Sequence, residues 1–292
     1  MSKQSIDEKP SSTAAIVCFF RACANKEKNE QIRGPDHLAK IYMKGIDSFI
    51  LKLHKITLPI AKRKAPQVYE YIIARTKFFD TIFEQALLEN LPQIVFLGAG
   101  YDTRPYRFKD CIKQTQIFEL DSSPTQKMKQ RFLKESDISV PEQLHYVSIN
   151  FNTQNLGEVL AEAGFDVNKR TLFIWEGVTE YLTPEAVDST LSFIHKTSGT
   201  TVAFNYIYKA VVDGTCDCYG AKEILKATAE SDEPYQFGIE EGKIEQFLRE
   251  RGFDTVSHYT AKELEKKYLT TDDGKLFGRI SGYVCLVLAV AK

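Results

Sequence analysis

The chain has 292 residues, 43% hydrophobic and 26% charged, so it can bury a large core, and disordered, collagen-like and coiled-coil classes are excluded. Its 38 basic and 39 acidic residues leave a net charge of -1, which gives the protein as a whole no field directed at nucleic acid or at an anionic membrane. The six cysteines (Cys18, Cys23, Cys111, Cys216, Cys218 and Cys285) contain no C-x-x-C pair and no histidine at ligand spacing. They read as free thiols of a reducing compartment with no metal centre, and Cys216-Asp217-Cys218 reads as a loop.

The first apolar segment, TAAIVCFFRACA at 13–24, imitates a signal peptide, but Asp7 and Glu8 occupy the place of a positive n-region and Arg21 interrupts it. A helix opened by Ser11, Ser12 or Thr13 is expected instead. Two further helical patterns follow, HLAKIYMKGIDSFILKLHK and VYEYIIARTKFFDTIFEQALLEN, with Pro59 and Pro66 bounding a connector between them. Residues 1–90 thus read as a helical cover that is not an independent domain. Inside it Lys52, Lys55, Lys62, Arg63 and Lys64 occur without an acid, the pattern of a solvated face or of an entrance for an anionic acceptor.

From residue 91 to 292 the texture changes to short apolar runs alternating with helical or loop segments: QIVFLGAG, QIFELD, LHYVSINF, TLFIWEG and TTVAFNY, then FDTVSHY and GYVCLVLAVA. Runs of this kind form strands of a mostly parallel sheet covered on both faces, and seven strands result. The predicted fold class is a doubly wound, Rossmann-like α/β core. Thr183 with Pro184 starts one helix, and Thr260 with Glu263 forms a capping box for another. The run from Tyr283 to Ala291 is about half the length of a membrane span, and a cytoplasmic, membrane-free protein is expected.

The chemistry-bearing residues stand at strand ends. Gly98 and Gly100 follow the first strand in FLGAG, where a side chain would block a ligand's approach to the backbone, but Thr103 stands where a pyrophosphate fingerprint wants a third glycine. Asp121 closes the second strand at the distance where an acid accepts from ribose hydroxyls, with a helix cap as the plainer alternative. Together the two sites suggest a nucleoside without pyrophosphate. Asp102 reads as a loop-fixing residue, Thr103 as a cap, and Arg21 either as reaching the site or as the one exposed arginine of an amphipathic helix.

The motifs FLGAGYDTRPYR, FELD and LFIWEGVTEYLTPEAV, in this order, resemble the leucine carboxyl methyltransferase superfamily, above all its bacterial S-adenosylmethionine-dependent O-methyltransferases. TAAIVCFFRA and ARTKFFD resemble that group's helical preface. The resemblance implies a class I methyltransferase fold whose last strand is antiparallel, and S-adenosyl-L-methionine as cofactor. It implies that Arg75 pairs with the methionine carboxylate, that Gly98, Ala99 and Gly100 line the cofactor, and that Asp121 takes the ribose. Adenine falls to Asn150 and Phe151, where Asn150 departs from the family's acid, and Glu176 falls near the methionine end. Glu176 and Tyr181 are the candidate catalytic residues; Tyr206 and Tyr208 are possible pocket residues.

A carboxylate acceptor needs no general base whereas a phenol or alcohol does. No histidine cluster supplies one, which favours a carboxylate, on a small molecule or a protein C-terminus. A nicotinamide-dependent oxidoreductase and a non-catalytic S-adenosylmethionine-binding protein are the competing readings.

Overall fold

The structure, a computed structural model, describes residues 11–151, 153–196, 199–229 and 234–292. Helices come first: α1 (Ser12–Ala24), α2 (Ile46–Lys52), α3 (His54–Lys64) and α4 (Val68–Leu88). Ser11, in extended conformation, caps α1 by accepting the Ala14 N–H at 3.1 Å. The pattern read as one helix over HLAKIYMKGIDSFILKLHK is broken. It forms a single 3-10 turn at Ala39–Tyr42, then Gly45 takes a φ of 55° that ordinary residues avoid, and α2 begins after it. Pro59 does not bound a connector either, but lies inside α3. That residue is exposed, so the Lys55 carbonyl that loses its N–H partner can bond water, which makes a proline cheaper here than in a core helix.

The sheet alternates with the remaining helices: β1 (Gln93–Leu97), α5 (Arg104–Arg107), β2 (Gln116–Asp121), α6 (Ser123–Glu135), β3 (Leu144–Ser148), α7 (Leu156–Glu162), β4 (Thr171–Trp175), α8 (Pro184–Ile194) and β5 (Thr201–Ile207). Then come α9 (Lys209–Val212), α10 (Ala221–Ala229), α11 (Ile244–Arg249), β6 (Phe253–Thr260), α12 (Ala261–Tyr268) and β7 (Val284–Ala291). Strand order is β3-β2-β1-β4-β5-β7-β6, with β7 antiparallel to both neighbours, so the expected seven-stranded, mostly parallel sheet is present. The third strand is shorter than its apolar run, ending at Ser148.

Register explains the two apolar faces. Val95 aligns with Phe118 and Phe173, and these rings meet Phe165 and Phe193 on the side of α7 and α8. The next residue, Phe96, points the other way and meets Phe83 of α4, with centroids 5.6 Å apart. Both predicted N-terminal signals hold: Thr183 accepts the Ala186 N–H, and Thr260 with Glu263 forms the capping box.

Buried charge fastens the helical cover to the sheet. Asp80 of α4 accepts from Arg107 at 2.6 and 2.7 Å and from Arg104 Nε at 2.8 Å. Asp36 takes Arg21 at 3.2 Å and Arg107 at 3.5 Å. Arg21 is therefore not an exposed residue of an amphipathic helix. It is buried, and its Nη2 also donates to the Tyr101 carbonyl at 2.8 Å. Asp80→Ala leaves two buried guanidinium groups short of their acid, and a loss of about 3–5 kcal/mol in urea unfolding is expected; a loss below about 1 kcal/mol, the scale of a surface pair, contradicts this account.

Candidate active site

The chain turns sharply where β1 ends. Gly98 has a φ of 75°, and a Cβ there would stand 2.5 Å from Val178 Cγ2, so the first and fourth strand ends touch only because this residue has no side chain. The Gly98 and Ala99 N–H groups both donate to the Leu120 carbonyl, at 3.0 and 2.8 Å. The Gly100 N–H donates to Asp121 Oδ2 at 2.6 Å, and Asp121 Oδ1 accepts the Ser122 N–H at 2.7 Å. Burial pushes the Asp121 carboxyl up from its ordinary range, and these two amides pull it back. A Cβ at Gly100 would lie 3.5 Å from that of Ala14, so α1 roofs the glycine turn.

Asp102 fixes the loop as expected, accepting the Arg104 N–H at 2.7 Å and pairing with the Arg104 side chain. Against the upward push of burial, that guanidinium holds its carboxyl below the usual range. Thr103 stands at the N-cap of α5 but makes no side-chain capping bond; its hydroxyl accepts from Arg107 Nε at 2.8 Å, and the Asp102 carboxylate takes the first helical N–H.

At the end of β4 two arginines converge on one acid. Glu176 Oε1 lies 2.8 Å from Arg75 Nε and Oε2 lies 2.9 Å from Arg104 Nη1. The charges are paired at close range, but Arg75 Nε and Glu176 Oε2, both buried, have no aligned hydrogen-bond partner. Gly177, at a φ of 71°, passes beneath Arg75, where a Cβ would stand 3.2 Å from Nη1. The following loop hangs on Asn205 of β5, which accepts the Gly177 N–H through Oδ1 and the Thr179 hydroxyl through its carbonyl, both at 2.5 Å, and donates to Glu180 at 3.1 Å. Burial raises the Glu180 carboxyl. Tyr181 is half-buried, its ring edge-on to Tyr235 at 5.4 Å.

Beyond β3, the Asn150 N–H donates to Gln154 Oε1 at 2.8 Å, and half-buried Phe151 lines a cleft of about 500 Å³ with Ile149, Leu156, Leu182 and Phe193. Among the predicted site residues, Phe151 alone lines this cleft. Tyr206 is spent on His258, its hydroxyl 2.9 Å from Nε2, and Tyr208 is buried in the core. No group of three or more metal-ligating side chains occurs among the described residues. No helix of the described residues is long and apolar enough to cross a membrane.

A sequence profile of the leucine carboxyl methyltransferase family matches residues 14–195, from the start of the helical cover past the β4 loop. The chain belongs to the leucine carboxyl methyltransferase family. A Bacillus subtilis (strain 168) protein named "Putative S-adenosyl-L-methionine-dependent methyltransferase YktD" is 27% identical over 200 residues, 68% of this chain and 66% of its own length. A Mycobacterium bovis (strain BCG / Pasteur 1173P2) protein named "Putative S-adenosyl-L-methionine-dependent methyltransferase" is 31% identical over 186 residues, 62% of this chain and 53% of its own. The matched region thus spans between about half and two thirds of these relatives. The fold is shared with a DUF574 family protein from Streptomyces avermitilis, at a TM-score of 0.60 and 14% identity, over 99% of this chain and 100% of that one.

Several residues of this leucine carboxyl methyltransferase family member carry no sequence signal of their own. Asn205 and Tyr235 come in from distant segments, and Arg104 lies within FLGAGYDTRPYR, where nothing in the local sequence announces its pairing with Asp80 and Glu176. Glu119, two residues before Asp121 and so on the same strand face, is buried against Lys129 at 2.8 Å, and burial pushes its carboxyl up to about 7. Between 4.5, its ordinary value, and about 7 the folded carboxyl keeps a proton that the unfolded one has released, so stability falls as pH rises through that window. Glu119→Gln removes this contribution. Between about pH 5 and about pH 8 the native chain should lose up to about 3 kcal/mol more than the variant in urea unfolding, and identical pH dependences contradict the assignment.

Proposed function

We propose that this chain is an S-adenosylmethionine-dependent methyltransferase acting on an oxygen, a carboxylate before a hydroxyl, of a small molecule or a protein C-terminus. Residues 91–292 form its cofactor-binding core and residues 1–90 its cover. The observation that carries the reading is the buried pair at the β4 end: the Arg75 guanidinium beside the Glu176 carboxylate, in ion-pair contact but without an aligned hydrogen bond between them. A ligand end bearing both a carboxylate and an ammonium satisfies the two at once, and the methionine end of S-adenosylmethionine is such a group. Gly98, Ala99 and Gly100 give the backbone access, Asp121 suits the ribose hydroxyls, and Asn150 with Phe151 suits adenine beside the apolar cleft.

The bound cofactor supplies a methyl group already activated by its sulfonium. The protein's work is then to place an acceptor oxygen in line and to exclude water. Glu176 serves that work by positioning: both its oxygens face arginines, so it is not a free proton acceptor. Tyr181, against Tyr235, walls the acceptor side. A preionised carboxylate needs no histidine base, and two of the histidines are engaged with other side chains, His258 on Tyr206 and His145 on Gln116.

Arg75→Ala should fold, because Glu176 keeps Arg104, and should bind S-adenosylhomocysteine more weakly by about 2–3 kcal/mol, a charge-assisted hydrogen bond or more. Calorimetry giving the affinity of the unsubstituted chain rejects the assignment of Arg75. Once an acceptor is found by transfer of labelled methyl, kcat/KM should be flat from about pH 6 to about pH 9 for a carboxylate, and a tenfold rise per pH unit would instead identify a hydroxyl awaiting deprotonation.

A further inference from the structure

The cover carries a feature that the site does not use. Ile46, Phe49, Leu53, Ile56 and Ile60 recur at intervals of three and four along α2 and α3, and they are 75%, 60%, 40%, 64% and 50% exposed. They are five of the twelve exposed large apolar side chains among the described residues, gathered into fifteen residues of sequence, which is a patch and not ordinary surface scatter. No side chain of α3 is buried in the core. On the same two helices Lys52, Lys55, Arg63 and Lys64 are exposed. From Lys44 to Lys64 six basic residues face Asp47 as the only acid, in a chain whose net charge is -1.

We propose that this face of α2 and α3 is a docking surface for an anionic membrane. Bulky aliphatic and aromatic side chains enter the headgroup boundary while flanking lysines and arginines meet lipid phosphates, the pattern of a helix lying in an interface. A second copy of this chain is the poorer occupant, because apposing two such faces sets their cations against one another. An acidic peptide is poorer too: the cleft beside α7 and α8 is lined by neither α2 nor α3, and a peptide would meet the cations while leaving the five apolar side chains without an apolar partner. The face is held in place without covering it. The Lys26 ammonium donates to the Leu51 carbonyl at 3.1 Å, and Lys62 pairs with Glu70 at the start of α4, the helix that carries Arg75. An acceptor with an apolar body and an acidic head, resident in such a membrane, would be met beside the cover.

The test is co-sedimentation of the full chain with vesicles of phosphatidylglycerol and phosphatidylcholine, against phosphatidylcholine alone, without cofactor, so that it stands or falls apart from methyl transfer. Binding to the anionic vesicles alone is expected, reduced by salt. Two double variants, Phe49→Ser with Ile56→Ser and Lys52→Glu with Lys55→Glu, should each weaken it about tenfold or more at unchanged thermal stability. Absence of binding, binding that neither variant weakens, or self-association or acidic-peptide capture through this face in place of vesicle binding would overturn the proposal.

Discussion

The arrangement depends on how buried arginines are neutralised. Arg21, Arg75 and Arg104 are buried and the Arg107 side chain nearly so, and each meets an acid from another part of the chain: Asp36 for Arg21, Glu176 for Arg75, and Asp80 for both Arg104 and Arg107. Such pairs add little net stability over apolar packing, but breaking one leaves a buried charge alone, so they fix which elements must meet. Here they tie α1 and α4 to the turn after β1 and to the end of β4. The cover is thereby locked over the carboxyl edge of the sheet, where open α/β folds bind their ligands. The same chain of charge sets Arg75 beside Glu176, so the pairing that builds the cover also shapes the site proposed here.

The strand ends share out the remaining work by backbone geometry. Gly98 and Gly177 take positive φ so that the first and fourth strands can approach Val178 and Arg75 without a Cβ between them. Asp121, satisfied by the Gly100 and Ser122 amides, holds the first turn against the second strand. The ribose proposed for this place would compete for oxygens that the turn already uses, so Asp121 is a latch of the fold whatever it binds.

Much of this was legible in the sequence because it is local. FLGAG, FELD and EGVTEY each combine a strand end with its glycine or acid inside a few residues, and Thr183 and Thr260 announce their helices by the same short-range logic. What was illegible is long-range. Arg21 reads as one charge on an apolar helix, and only its partner Asp36, across a loop, reveals it as buried. Gly45 and Pro59 mislead in opposite directions, since a glycine tolerable in a helix broke one by adopting positive φ, and a proline that should stop a helix sits in a solvated one. Net charge hid the most uneven feature of the chain, the basic and apolar face of α2 and α3, because the acids that balance it lie elsewhere.

The central claim is that the Arg75–Glu176 pair and the glycine turn form one ligand site. A crystal structure with S-adenosylhomocysteine tests it most directly. The account predicts the amino-acid carboxylate on Arg75, the ribose on Asp121 and the base beside Phe151. A nucleoside bound elsewhere, with Arg75 still held by Glu176 alone, would contradict it.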